Sequence, residues 1–283
     1  MKATFLIILC FLGSWSMAQE SAPGEENTIT WMHADFAPAR IIGGPFAGQG
    51  PSDMIHALMW QELPDYHHKL VTANMARTLD EIKNGKQVLS VGLFPTPERA
   101  RIALFSLPCV LSPPIALIVR QEDSAKWPAS ISLKDFIEGS RLGISRSRSY
   151  GPAVDEVLNG FREHDNLFVD SSDKLFENLM KMLLLRRIDG VLGYPFEAVF
   201  NARMTGAADR IAVIPLAEGG QYLIGRIAAP QTDWGAEMIV RVNEILRRNR
   251  PDPSYREAFT RWLPTSTHAD FNRIYESQFL ERK

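Results

Sequence analysis

Two distant segments of this chain are written on one plan, and that plan limits the fold more than any other feature. The first runs Leu79-Asp80-Glu81-Ile82-Lys83-Asn84-Gly85-Lys86-Gln87-Val88-Leu89-Ser90-Val91-Gly92. The second runs Met182-Leu183-Leu184-Leu185-Arg186-Arg187-Ile188-Asp189-Gly190-Val191-Leu192-Gly193. Each predicts a helix, a tight turn, a strand apolar nearly throughout, and a glycine. A strand without polar alternation is buried on both faces, which calls for helices on either side of a largely parallel sheet. Each unit also ends at a strand mouth, where open α/β sheets hold ligands. Two such units point to two α/β lobes facing one another.

The rest of the chain continues the alternation. Strands are expected over 28–33, 69–72, 88–93, 115–119, 141–145, 167–169, 190–192, 211–215 and 222–228. Helices are expected over 53–63, 78–84, 133–138, 152–161, 172–185, 196–203, 234–248 and 255–262. Pro64 stops the first helix, Gly85 suits a C-terminal cap and Ser172 an N-terminal one. Met238, Ile239, Val242, Ile245 and Leu246 give the 234–248 helix one apolar face.

The first eighteen residues read as an export leader. Lys2 supplies a positive start, the run from Phe5 to Leu12 is too short to span a bilayer, and Ser16-Met17-Ala18 ends in small residues suited to cleavage. Cys10 lies inside the apolar run behind Leu9, which does not suit a lipid-anchored form. The whole chain has 31 Lys and Arg against 33 Asp and Glu. Loss of Lys2 with the leader makes the mature balance about −3, which is not that of a nucleic-acid binder. The stretch 180–185 is soon interrupted by Arg186, Arg187 and Asp189, so no second membrane segment is expected. The chain has two cysteines, and only Cys109 survives cleavage. An intramolecular disulfide is therefore ruled out, and apolar neighbours make Cys109 a core residue.

The most informative stretch for chemistry is Val91-Gly92-Leu93-Phe94-Pro95-Thr96-Pro97-Glu98-Arg99, leading to Leu104-Phe105-Ser106-Leu107-Pro108. It places an arginine at the mouth of a buried strand. A guanidinium there offers a planar fork of donors suited to a carboxylate or phosphate, although a surface-loop arginine would look the same in isolation. Other signals are weak. His67-His68 lacks a third ligand at metal spacing, so no metal or cofactor is expected. The loop 43–50 lacks the Gly-Lys-Ser/Thr of a phosphate loop and reads as a mobile lip, with Gln49 near the cleft. No Gly-x-Ser-x-Gly elbow is present.

Taken in order, several pieces resemble the type 2 periplasmic solute-binding proteins of the amino-acid-binding family 3. These are Asp35-Phe36-Ala37-Pro38 after the first strand, Thr96 to Arg99 with Phe105 to Pro108, and Leu133-Lys134-Asp135-Phe136 before Arg141-Leu142-Gly143-Ile144. Ser147 to Gly151, Ile188 to Tyr194 and the ending Tyr255 to Leu263 complete the series. The resemblance covers nearly the whole mature chain. It implies a two-lobed clamshell, each lobe a mixed sheet flanked by helices. Lobe 1 would comprise 19–119 and 216–283, and lobe 2 would comprise 120–215. Crossings near 115–120 and 211–216 would form a hinge, with ligand bound between the lobes.

Carried over position by position, the resemblance puts Phe36 over the ligand, or in plain core. It puts Thr96 and Arg99 on the ligand's carboxylate. Arg148, Ser149 and Tyr150 fall in a lobe-2 loop at a helix start. The departures matter as much. Tyr194 stands where amino-acid binders place a carboxylate for the ligand's ammonium, with Glu197 one helical step on. Phe94 replaces a small polar residue, and His33 replaces an acidic one. The implied ligand is a small anionic or aromatic-bearing metabolite carrying a carboxylate, rather than a free zwitterionic amino acid. The implied partner is an inner-membrane ABC permease or a sensor receptor, with the chain itself a periplasmic monomer. A lyase or dehydratase acting on a small carboxylate in the same cleft is the competing class. It needs a general acid or base, for which only His33 and Glu197 stand at assignable cleft positions.

Overall fold

The computed structural model describes residues 27–34, 36–146, 148–170 and 175–281, so the leader, Asp35, Ser147 and the cap expected at Ser172 lie outside the described residues. The first lobe opens with β1 (Thr28–His33), α1 (Pro51–Glu62), β2 (His67–Thr72), α2 (Met75–Lys83), β3 (Val88–Leu93), the single turn α3 (Pro97–Ala100) and β4 (Ala103–Ser112). The chain then crosses to β5 (Ala116–Arg120), α4 (Leu133–Gly139), β6 (Leu142–Ser145), α5 (Pro152–Gly160), β7 (Leu167–Asp170), α6 (Leu175–Leu184), β8 (Gly190–Gly193), α7 (Pro195–Met204) and β9 (Ile211–Pro215). It returns with β10 (Leu223–Pro230), α8 (Asp233–Asn249), α9 (Pro253–Thr260) and α10 (His268–Ile274), the last running on into a wider helical turn over Tyr275–Leu280.

Two mixed five-stranded sheets result, in the orders β2-β1-β3-β10-β4 and β7-β6-β8-β5-β9. In the first, β1 pairs parallel with β2 and β3, and β10 runs antiparallel between β3 and β4. The second repeats this scheme with β5 antiparallel between β8 and β9. Residues 116–119, expected in lobe 1, thus lie in the second sheet. The crossings between sheets fall at 113–115 and 216–222.

The inner strands of both sheets are covered on both faces. In the first lobe Trp31, Leu89, Ile227, Met238, Val242 and Leu246 pack on one side, and Met32, Ile82, Val88 and Ala228 on the other. In the second, Leu117 and Leu192 meet Phe136, while their neighbours Ile118 and Val191 meet Leu179 and Leu183. The apolar stripe of α8 is the one its sequence spacing predicts. Each such fully buried side chain contributes about 1.5–3 kcal/mol. Cys109 is fully buried, and burial pushes its thiol up to about 12.

The repeated unit extends to backbone detail. Gly85 ends α2 with φ 71°, and Arg186 takes the same left-handed turn after α6 with φ 58°. The terminal glycine of the second unit is a packing requirement, since a Cβ on Gly193 would stand 2.3 Å from the Phe176 ring. Arg120, at the end of β5, is buried and pins the lobe-2 turns. It donates to the carbonyls of Leu183 (2.9 Å) and Ile188 (2.7 Å) and pairs with Asp123 and Asp189.

Candidate functional site

A cavity of about 240 Å³ opens where the parallel strands of the first lobe end. His33 and Ala34 come from the end of β1, Leu93 and Phe94 from the end of β3, and Ser112 and Pro113 from the end of β4. Trp262 and Phe271 close the back, and Phe196 of α7 reaches over from the other lobe. The walls are mostly aliphatic and aromatic, and no described lining residue is an acid.

Of the residues singled out from sequence, Phe36 and Phe94 line this cavity. Phe36 meets Phe196 edge to face across the lobes, with centroids 6.0 Å apart. Thr96 and Arg99 lie just outside the wall. Thr96 caps α3 by accepting from the Arg99 amide at 3.3 Å, and the Arg99 guanidinium donates to the Phe94 carbonyl at 2.9 Å. Arg99 therefore braces the turn that presents Phe94.

The lobe-2 residues form a ladder that begins at the cavity roof. Phe196 stacks on Tyr194 with centroids 5.0 Å apart and planes 9° from parallel. The Arg148 guanidinium lies 5.3 Å from the Tyr194 ring and 5.5 Å from Tyr150. It forks onto Glu197 through two hydrogen bonds of 3.1 and 2.7 Å. Glu197 also accepts from the Tyr194 amide at 3.1 Å. The Tyr150 hydroxyl accepts from the Ser145 amide at 2.7 Å, and Ser149 donates to Asp155. Burial raises the phenol pKa of both Tyr150 and Tyr194, so these rungs stay neutral. Arg148 and Glu197 neutralise each other inside this stack.

Sequence reasoning missed Arg40, Phe196 and Trp262. Arg40 lies in the loop after β1, beyond any periodic element. Its Nη1 stands 2.5 Å from His33 Nε2, and its Nε stands 3.4 Å from Asp53. His33 is buried and also contacts Thr72 Oγ1 at 3.2 Å. Behind it His56 lies buried, 6.4 Å from His33 and 5.4 Å from Trp31, with neither ring nitrogen hydrogen-bonded among the described residues. Burial, then the nearby Arg40 and His33 charges, push His56 down to about 3. His68 is structural, with Nδ1 accepting from Trp31 at 3.0 Å and Nε2 facing the Leu63 carbonyl at 3.0 Å.

A second contact zone joins the lobes beside the cavity. Phe200 of α7 meets Phe46 and Trp262 at 6.4 and 5.5 Å, and Arg203 lies over Trp262 at 5.3 Å. The loop 43–50 thus packs on lobe 2 through Phe46.

Solved structures share this architecture. An ancestral cationic amino acid solute-binding protein matches with a TM-score of 0.64 at 15% identity, over 85% of this chain and 97% of that one. The fold is that of the type 2 periplasmic binding proteins. The substrate-binding protein of an amino acid ABC transporter matches at 14% identity and TM-score 0.54, over 83% of this chain and 98% of its own. A histidine kinase sensor domain similar to periplasmic binding proteins matches at 16% identity and TM-score 0.55, over 84% and 96%. No protein-family model and no curated protein matches the chain. Among the described residues no helix is long and apolar enough to cross a membrane.

Proposed function

We propose that this chain is an exported solute-binding protein that holds a small, largely apolar ligand with an anionic group between its lobes and presents it to a membrane permease or sensor. The observation that carries this reading is the interlobe cavity itself. It sits at the carboxyl ends of parallel strands, is walled by Phe36, Phe94 and Trp262, and is roofed by Phe196 from the opposite lobe. Solved proteins of the same fold bind amino acids or serve as sensor domains, which supports capture and delivery as the role. Lobe 2 differs from a zwitterion site in that Arg148 and Glu197 bind one another, which supports a ligand without an ammonium group. The chain acts in the periplasm as a monomer, and Phe36 and Phe94 contact the ligand directly.

A thermal-shift screen of the mature chain against amino acids, aromatic acids, dicarboxylates, short peptides and phosphorylated compounds tests this. A ligand at a hundred times its Kd adds roughly 2.7 kcal/mol to stability. A hit recovered unchanged by mass spectrometry supports a binding protein. Turnover of the hit refutes the reading in favour of an enzyme, and silence across the panel refutes a small-molecule site.

A further inference from the structure

We infer that Arg40, braced by His33, is the carboxylate anchor of the cavity, and that the site therefore selects simple aromatic or branched monocarboxylates over α-amino acids. The inference rests on the binding-protein reading above and names its ligand class. Arg40 is the only cationic side chain among the described lining residues. Arg99 is engaged with the Phe94 carbonyl and Arg148 with Glu197.

Arg40 is also pre-organised. Its side chain is 15% exposed, with His33 on one side and Asp53 on the other. Little conformational freedom remains to be lost when an anion binds. Its Nε edge faces Asp53 Oδ1 at 3.4 Å. With Nη1 on His33 and Nε on Asp53, a ligand carboxylate entering from the cavity meets the remaining nitrogen, Nη2. Asp53 holds the Nε edge in place through Oδ1 and is itself fixed by the Ile41 and Gly50 amides, which donate to its Oδ2 at 2.9 and 3.0 Å.

The rest of the cavity lining sets what the carboxylate is attached to. Phe36, Phe94 and Phe196 are among its walls, and no acid lines it among the described residues. The ammonium of an α-amino acid, one carbon from the carboxylate, would be desolvated without an acid among the described lining residues to meet it. A dry apolar cavity of about 150 Å³ holds benzene, so about 240 Å³ accommodates a ring with a short acid chain.

Calorimetry with 3-phenylpropanoate, its amide 3-phenylpropanamide, and phenylalanine tests the assignment on wild type, Arg40→Gln, Arg40→Lys and Arg99→Gln, each checked for a native melting transition. Loss of a charged hydrogen bond predicts roughly tenfold to a hundredfold weaker binding of the acid by Arg40→Gln. A smaller loss is expected for Arg40→Lys, which keeps charge but not the fork, and less than threefold for Arg99→Gln. The amide and phenylalanine should bind at least tenfold more weakly than the acid. If Arg40→Gln does not fold, the Arg40→Lys comparison decides. Equal binding of the amide, tighter binding of phenylalanine, or a loss confined to Arg99→Gln overturns the inference while leaving a binding protein. Failure of all three probes on wild type overturns the ligand class. The thermal-shift screen separately decides whether the binding-protein reading survives.

Discussion

His56 makes the stability of the first lobe depend on pH in a defined window. It is buried against Trp31 and faces His33 and Arg40, and its pKa falls from 6.5 to about 3. Between these values the unfolded chain binds a proton that the folded chain refuses. The stability present above pH 6.5 is therefore lost progressively as pH falls toward 3. Each unit of pH in the window is worth about 1.4 kcal/mol, so going from pH 6.5 to 5.0 removes about 2 kcal/mol, or roughly 4–8 °C of melting temperature. Other groups also titrate in this range, so the assay is urea denaturation of wild type and His56→Leu in parallel, at pH 7.0, 6.0 and 5.0. The variant lacks the titrating ring and should lose about 2 kcal/mol less than wild type over that range. A difference between the two proteins that stays constant from pH 7.0 to 5.0 would refute the argument.

Three further substitutions test the packing and closure. Arg148→Ala strands the buried Glu197 carboxylate and should cost about 3 kcal/mol in urea denaturation. The double variant Arg148→Met with Glu197→Leu should recover most of it. Gly193→Ala drives a methyl into the Phe176 ring and should cost about 1–3 kcal/mol, read as a lower denaturation midpoint. Phe200→Ala removes two cross-lobe ring contacts worth about 2 kcal/mol together. It should raise the open population about thirtyfold, seen as a larger radius of gyration by small-angle X-ray scattering.

The elements legible in the sequence are those whose burial is written in consecutive residues. β3, β5 and β8 are apolar because both faces are covered, and α8 shows its stripe because only one face is. β4 is hidden from a sequence reading because Pro108 interrupts it, and a proline removes a ladder donor. The structure accommodates Pro108 opposite Arg226, where the register shifts in a bulge. The helical ending is readable in principle, since Phe271, Tyr275 and Phe279 recur at one-turn spacing and all are buried. The site is less accessible. Phe36 and Phe94 sit beside strand ends and can be placed at the cavity mouth. Arg40 depends on His33 and Asp53, which reach it from a strand and a helix on either side of its loop. No local pattern announces such a meeting.

The roof and the latch of the cleft share one helix. α7 carries Phe196 over the cavity, and one turn later it carries Phe200 and Arg203 onto Phe46 and Trp262. Its first turn is fixed by Glu197, which accepts from both Tyr194 and Arg148. A ligand that packs under Phe196 therefore stabilises the same surface that holds the lobes together. The strength of that coupling is limited to the difference in ligand affinity between closed and open forms. The Arg148–Glu197 pair lies within lobe 2 and survives opening, so among the described residues the interactions that closure itself adds are aromatic and cation–π rather than ionic. Closure should consequently be nearly insensitive to salt, unlike a cleft drawn shut by opposed surface charges, whose attraction fades within a Debye length of about 8 Å at physiological ionic strength.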